Sequence, residues 1–241
     1  MNETQRALLN NSRQAAQAAH QQALALEQAK RAEQERLTKL YESLQIPPYT
    51  KLDNRGDVLD VDSERWQCAK STLTGLIWEV KTNDGGLRDG QFTYSWMESI
   101  SGDHTPLSGR VDGGQCLYTN CDTHAYIETI NEIGLCGQSN WRLPTTSELE
   151  SLVLLRNYIP KIDSRYFPHA KSFYYWSDTV YANYYDPDKY AHFPGVQAFQ
   201  YWSEILSVND YSLMTSVNFM NGLAYGARKS RNYHIRLVSD G

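Results

Sequence analysis

The sequence predicts an α+β head behind a long amino-terminal α-helix, and three observations predict it. Composition changes abruptly at Pro47-Pro48, short strand-like runs between Gly, Asn and Asp turns recur through residues 49–241, and two segments of that region carry helix caps. The expected organisation is a helical stalk or tether over 1–45, a proline-containing linker over 46–48 and a ligand-binding head over 49–241.

The first 45 residues hold no Gly, Pro or Trp and are rich in Ala, Gln, Leu, Glu, Lys and Arg, which lose least on entering a helix. Pro47-Pro48 end it. A heptad stripe and an eleven-residue stripe both pass through Leu26, Leu37, Leu40 and Leu44. The Ala-rich first half buries little area, so association rests on those leucines, and a parallel oligomeric coiled-coil stalk is the expected use. A single helix packed on its own domain and a tether buried in a larger assembly are the competing readings.

In the head, the strand runs are 74–80 (TGLIWEV), 91–96 (QFTYSW), 173–177, 214–219 and 233–238. A helix over 122–133 begins at Asp122 or Thr123 and stops before Gly134. A second, over 146–155, follows Thr145, Thr146 or Ser147 with Glu148 close behind, a capping-box pattern. Asn221-Gly222 reads as a hairpin turn.

Charge and hydropathy exclude several classes. The chain has 23 basic against 28 acidic residues, so a general nucleic-acid binder is not expected. No run approaches the roughly 18 apolar residues of a membrane helix, and the amino terminus lacks the apolar core of a signal peptide. Phosphate loops, zinc-protease helices and nucleophile elbows have no counterpart in the sequence.

The four cysteines are Cys68, Cys116, Cys121 and Cys136, an even number in turn-rich sequence, which suits disulfides and an oxidising compartment. Three connectivities are open. Cys116 and Cys121 enclose only four residues, so the preferred pairing is Cys116 with Cys121 and Cys68 with Cys136. A zinc site and reduced buried thiols are the alternatives, the former disfavoured by the spacing.

Five separated motifs then resemble the Legionella collagen-like adhesin C-terminal domain family. They are Thr74-Gly75-Leu76-Ile77-Trp78-Glu79-Val80-Lys81 with the Asp84-Gly85-Gly86-Leu87 turn; Gly134-Leu135-Cys136-Gly137; Trp141-Arg142-Leu143-Pro144-Thr145 with Glu148-Leu149; Tyr174-Tyr175-Trp176-Ser177; and Tyr233-His234-Ile235-Arg236-Leu237-Val238. The resemblance implies a C-type-lectin-like or sulfatase-modifying-factor-like fold, an extracellular, cell-surface or virion setting, trimers, and adhesion to ligands such as sulfated polysaccharides. It also implies kinship with diversified receptor-binding proteins, whose carboxy-terminal strands and loops face the ligand. Export without a signal peptide then requires a replaced leader, phage release or a dedicated system.

The residues also have a physical reading of their own. Trp141 and Leu143 suit core anchors, and Arg142 suits pairing with Glu148. The Trp141–Thr145 stretch is similar to formylglycine-generating enzymes, but that chemistry needs a reactive cysteine pair near the carboxy terminus and no cysteine follows Cys136. The six histidines have no evident nucleophile beside them, so the expected function is non-enzymatic.

Residues 166–233 hold eleven of the seventeen tyrosines, rigid amphipathic faces on which sugars stack. Tyr175, Trp176, Phe219 and Tyr233 lie in strand runs and read as core. Tyr184, Tyr185, Tyr190, Trp202 and Tyr211 lie in polar sequence and read as ligand-facing, with 185–210 a specificity loop or a packed lid. Tyr225, Arg228, Lys229 and Arg231 form the densest positive cluster of the acidic head, flanked by Asn218, Asn221 and Asn232, and read as an anion and sugar-hydroxyl site or as a solvated basic turn. No cofactor is required. Calcium is a secondary expectation at Asp53, Asn54, Asp57, Asp60 and Asp62 or at Asp186 and Asp188, without the spacing of a dedicated loop.

The expected function is an extracellular adhesin or receptor-binding head for glycan or sulfated polysaccharide, likewise open to a surface protein receptor. The alternative is a structural tip or assembly subunit of a phage tail, pilus or similar structure that binds a protein partner.

Overall fold

The computed structural model describes residues 21–22, 25–26, 28–30, 32–33, 35–37, 39–40, 47–98, 109–154, 159–181 and 213–241. The chain divides into two compact units, Met1–Pro48 and Tyr49–Gly241. In the first, the described residues between 21 and 40 are helical, with Leu26 and Leu40 exposed and Leu37 half-buried; Leu44 lies outside the described residues.

The second unit is a mixed α+β domain with two antiparallel sheets. Strands β1 (Tyr49–Leu52), β2 (Cys68–Ser71), β3 (Ile77–Glu79) and β7 (Val238–Ser239) form one sheet in the order β1-β2-β3-β7. Strands β4 (Tyr174–Val180), β5 (Met214–Asn218) and β6 (Leu223–Ala227) form the other. Helix α1 (Thr123–Ile133) begins on Asp122, whose carboxylate accepts from the Ala125 amide, and ends on Gly134 at φ 63°. Helix α2 (Thr146–Ser151) has the full capping box: Thr145 accepts from the Glu148 amide while Glu148 accepts from the Thr145 amide.

Residues from both faces of the sheets enter a core, because successive side chains point to opposite sides. Ile77, Trp176 and Leu237 enter one core with Tyr94, Trp96, Tyr126, Ile130, Trp141 and Leu143. Their neighbours Trp78, Tyr175 and Val238 enter a second with Leu149, Phe167, Val217 and Phe219. The Trp141 indole donates to the Leu135 carbonyl, and Asn131 pairs with both the amide and the carbonyl of Trp141, locking this anchor against α1.

The structure shortens several expected elements. Thr74 and Gly75 belong to a turn rather than to β3: the Gly75 amide donates to the Ser71 carbonyl at φ 76°. The 91–96 run supplies single bridges at Thr93, Tyr94 and Ser95, and only Val238 of the 233–238 run joins a strand, β7 (Val238–Ser239). Helix α2 stops at Ser151, four residues before its expected end. Three strands lacked a sequence signal: β1 and β2 are short with polar edge positions, and β6 holds two small residues and a glycine.

Both expected disulfides are present, Cys68–Cys136 and Cys116–Cys121. The first joins β2 to the turn after α1 within the core. The second closes a surface loop.

Candidate functional site

Cross-strand register places a set of aromatic side chains on one face of the β4-β5-β6 sheet. Tyr174 is opposite Asn218, which is opposite Leu223; Trp176 is opposite Ser216, which is opposite Tyr225. Partners directly opposite share a face, and so do residues two apart along a strand. Trp176 is buried in the core on this face, whereas Tyr174 is half-buried and Leu223 and Tyr225 are exposed. The face therefore rises out of the core toward the hairpin between β5 and β6.

The rings of this shelf touch in sequence. Tyr233 stacks on Tyr174 with centroids 4.8 Å apart and planes 19° from parallel. Tyr225 meets Tyr174 edge-on at 5.6 Å, Phe173 meets it edge-on at 5.2 Å, and Tyr233 leans on the buried Trp176 at 4.6 Å. Such edge and offset contacts hold aromatic rings at low entropic cost. The Asn221 amide donates to the Tyr225 hydroxyl at 2.8 Å, and its oxygen accepts from the Leu223 amide, so one side chain fixes both hairpin and ring. Gly222, at φ 79°, completes the turn; a Cβ there would lie 2.6 Å from Val153.

Beside the shelf, residues 94–96 run along 229–233. The amides of Tyr94 and Tyr233 each donate to the other's carbonyl, and the Trp96 amide donates to the Lys229 carbonyl. One intervening residue on the first segment faces three on the second, so 230–232 bulge outward. The Arg231 amide closes the bulge on the Arg228 carbonyl at 2.9 Å. Arg228, Arg231 and Asn232 are exposed. Burial raises the Tyr233 phenol's pKa, and the positive charge of Arg231 opposes that rise.

Two residues expected at the surface are elsewhere. Lys229 is 4% exposed, with its ammonium 4.5 Å above the Trp96 ring, because its position in the pinned segment turns it inward; the cationic surface carries Arg228 and Arg231. Asn218 is buried in β5, where its oxygen accepts from the Met220 amide and shapes the hairpin. Tyr184, Tyr185, Tyr190, Trp202 and Tyr211 lie outside the described residues, as do Asp186 and Asp188. The connection that holds them begins and ends at a hydrogen bond from the Tyr181 amide to the Leu213 carbonyl. Tyr175, Trp176 and Phe219 are core residues, as their strand positions indicate. Tyr174 and Phe173 are shelf residues that sequence reasoning did not single out; adjacent aromatics at the start of a strand were the available signal.

Two further charged motifs make contacts within the fold. Arg142 makes a bidentate pair with Glu148 at 2.9 and 2.8 Å and also reaches Asp240, tying α2 to the carboxy terminus. Asp53 accepts from the amides of Arg55 and Asp57, which satisfies its own turn.

The class defined by this architecture is a disulfide-stapled α+β domain with an aromatic and cationic face at its carboxy-terminal end. The sequence profile of the Lcl C-terminal domain matches residues 67–188, about half of the chain, and the chain belongs to that family. No curated protein and no solved structure matches it. Membership suggests an adhesin-like surface domain. Among the described residues no helix is long and apolar enough to cross a membrane.

Proposed function

We propose that this head is a non-enzymatic, extracellular adhesin or receptor-binding domain that takes a glycan or anionic polysaccharide on the Tyr174–Tyr225–Tyr233 shelf, within a C-type-lectin-like fold. The stacked shelf, with the exposed Arg231 two residues before Tyr233, is the observation that supports it. Tyrosine faces accept the C–H surfaces of pyranose rings, the exposed Asn221 and Asn232 offer amide groups to hydroxyls, and Arg228 and Arg231 bring charge for a sulfate or carboxylate. The binding needs no metal or cofactor in this reading.

Glycan-array and sulfated-polysaccharide binding by the intact protein tests the proposal. Binding that weakens with salt, falls in Tyr225→Ala and falls further in Arg228→Ala/Arg231→Ala supports it. A folded protein that binds no glycan on such an array overturns it and moves the reading to a protein receptor or an assembly role. For that second reading the supporting observation is apolar: Met220 and Leu223 are exposed at the hairpin beside the shelf.

A further inference from the structure

We infer that Lys229 is a positioning residue of the proposed binding face: its ammonium, seated on the buried Trp96 ring, holds the segment from Arg228 through the 230–232 bulge so that Arg228 and Arg231, which lie between Tyr225 and Tyr233 in the chain, face solvent. This rests on the proposed reading of the shelf for its functional meaning, though the positional claim can be tested without a ligand.

Trp96 connects the two parts of the face. Its indole N–H donates to the Ser177 carbonyl of β4 at 3.2 Å, its backbone amide donates to the Lys229 carbonyl at 2.9 Å, and its ring lies 4.5 Å under the Lys229 ammonium. Trp96 is itself buried. The sheet that carries Tyr174 and the segment that carries the arginines are thus fastened to one rigid side chain. On the other side of the bulge, Tyr94 and Tyr233 exchange both backbone hydrogen bonds, and the Trp176 indole of β4 donates to the Tyr94 carbonyl at 2.7 Å. Between these fastenings only residues 230–232 are left to project.

The chemistry at position 229 suits an anchor rather than a contact. A cation over an indole face is attracted to the ring's quadrupole, more strongly when both are out of water. A ligand on the outer face meets the Arg228 and Arg231 guanidinia, not this ammonium.

The test uses the full chain, heparin as the probe, and three variants: Lys229→Met, Lys229→Arg and Arg228→Ala/Arg231→Ala. Lys229→Met keeps the aliphatic stem over Trp96 and removes the charge; Lys229→Arg keeps a cation that stacks on the indole. For a positioning residue, Lys229→Met raises the exchange rate of the Arg231 amide about tenfold and weakens heparin binding by a similar factor. The slope of log affinity against log salt stays at the wild-type value, because both arginines still meet the polyanion. Lys229→Arg restores exchange and affinity, and the double arginine variant lowers the slope.

An unchanged Arg231 exchange rate in Lys229→Met, with a salt slope lowered as in the arginine variant, overturns the inference and makes Lys229 a ligand contact. If wild type binds no heparin while Arg231 exchange still accelerates in Lys229→Met and recovers in Lys229→Arg, the positional claim stands and the glycan reading falls. Should Lys229→Met fail to fold, Lys229→Arg decides: wild-type exchange and affinity support the anchor, and loss of either overturns it.

Discussion

The carboxylate of Glu79 and the ammonium of Lys81 lie 3.0 Å apart with both side chains buried. Tyr126 completes the group, donating its hydroxyl to Glu79 and accepting from Lys81 at 2.8 Å. Glu79 also accepts from the Leu237 amide through its side chain, and its backbone carbonyl accepts from Arg236. The network therefore joins β3, α1 and the carboxy-terminal segment at the centre of the head. Burial works against the ionised form of Glu79, but the Lys81 and Arg88 charges and the Tyr126 hydroxyl outweigh it and hold the carboxyl below its usual range. Burial pushes Lys81 down to about 8 despite the pull of Glu79.

Removing one partner of this pair leaves an uncompensated buried charge. Lys81→Met is expected to lower stability by about 3–5 kcal/mol in urea unfolding. Lys81→Met/Glu79→Gln is expected to recover part of that loss, because it removes the stranded carboxylate as well. A double variant no more stable than the single one would show that the hydrogen bonds, not the charges, dominate here.

His234 makes stability depend on acid. Burial lowers its pKa from 6.5 to about 4, partly offset by the hydrogen bond between its Nδ1 and the Phe92 carbonyl. The unfolded imidazole takes up a proton near pH 6.5 while the folded one stays neutral to about 4. Its contribution is thus whole above pH 6.5 and is lost as pH falls toward 4, amounting to roughly 3 kcal/mol. Melting temperature followed across this range should fall less steeply in His234→Gln than in the wild type.

The two disulfides should differ in both lability and worth. Cys68 and Cys136 are fully buried, and their bridge spans a sequence separation of 68, whereas Cys116–Cys121 spans 5 and has a partly exposed sulfur partner. Loop-closure entropy gives about 4 kcal/mol for the long bridge and about 2 kcal/mol for the short one. Mild reductant followed by alkylation and mass spectrometry is expected to label Cys116 and Cys121 first. Cys68→Ser/Cys136→Ser should lower the melting temperature more than Cys116→Ser/Cys121→Ser.

The leucines of the amino-terminal unit give a direct assay of association. Leu26 and Leu40 are exposed and so are open to a second copy of the chain. Light scattering is expected to return a trimer for the full chain and a monomer for Leu37→Ala/Leu40→Ala/Leu44→Ala, with the near-ultraviolet circular dichroism of the head retained. A wild-type monomer would remove the stalk reading.

Elements with strong local chemistry were the legible ones. Asp122 and Gly134 bound α1, and Thr145 with Glu148 starts α2, because caps satisfy backbone groups within one turn and leave their mark in neighbouring residues. The Asn221-Gly222 turn and the pairing of Arg142 with Glu148 were legible for the same reason. Strands β1, β2 and β6 were not: short segments with small or polar residues acquire strand geometry from their partners rather than from themselves.

By itself the sequence determined the composition break at Pro47-Pro48, the caps, the short Cys116–Cys121 loop and the family motifs, all properties of neighbours along the chain. Only the tertiary structure decided which side of each residue meets water. Lys229 follows Arg228 in sequence, yet it points to Trp96 while Arg228 is exposed, and Tyr233 packs against the core at Trp176 while its ring also stacks on Tyr174. Both outcomes depend on residues more than fifty positions away, and pairings over such distances leave no periodic trace in a single sequence.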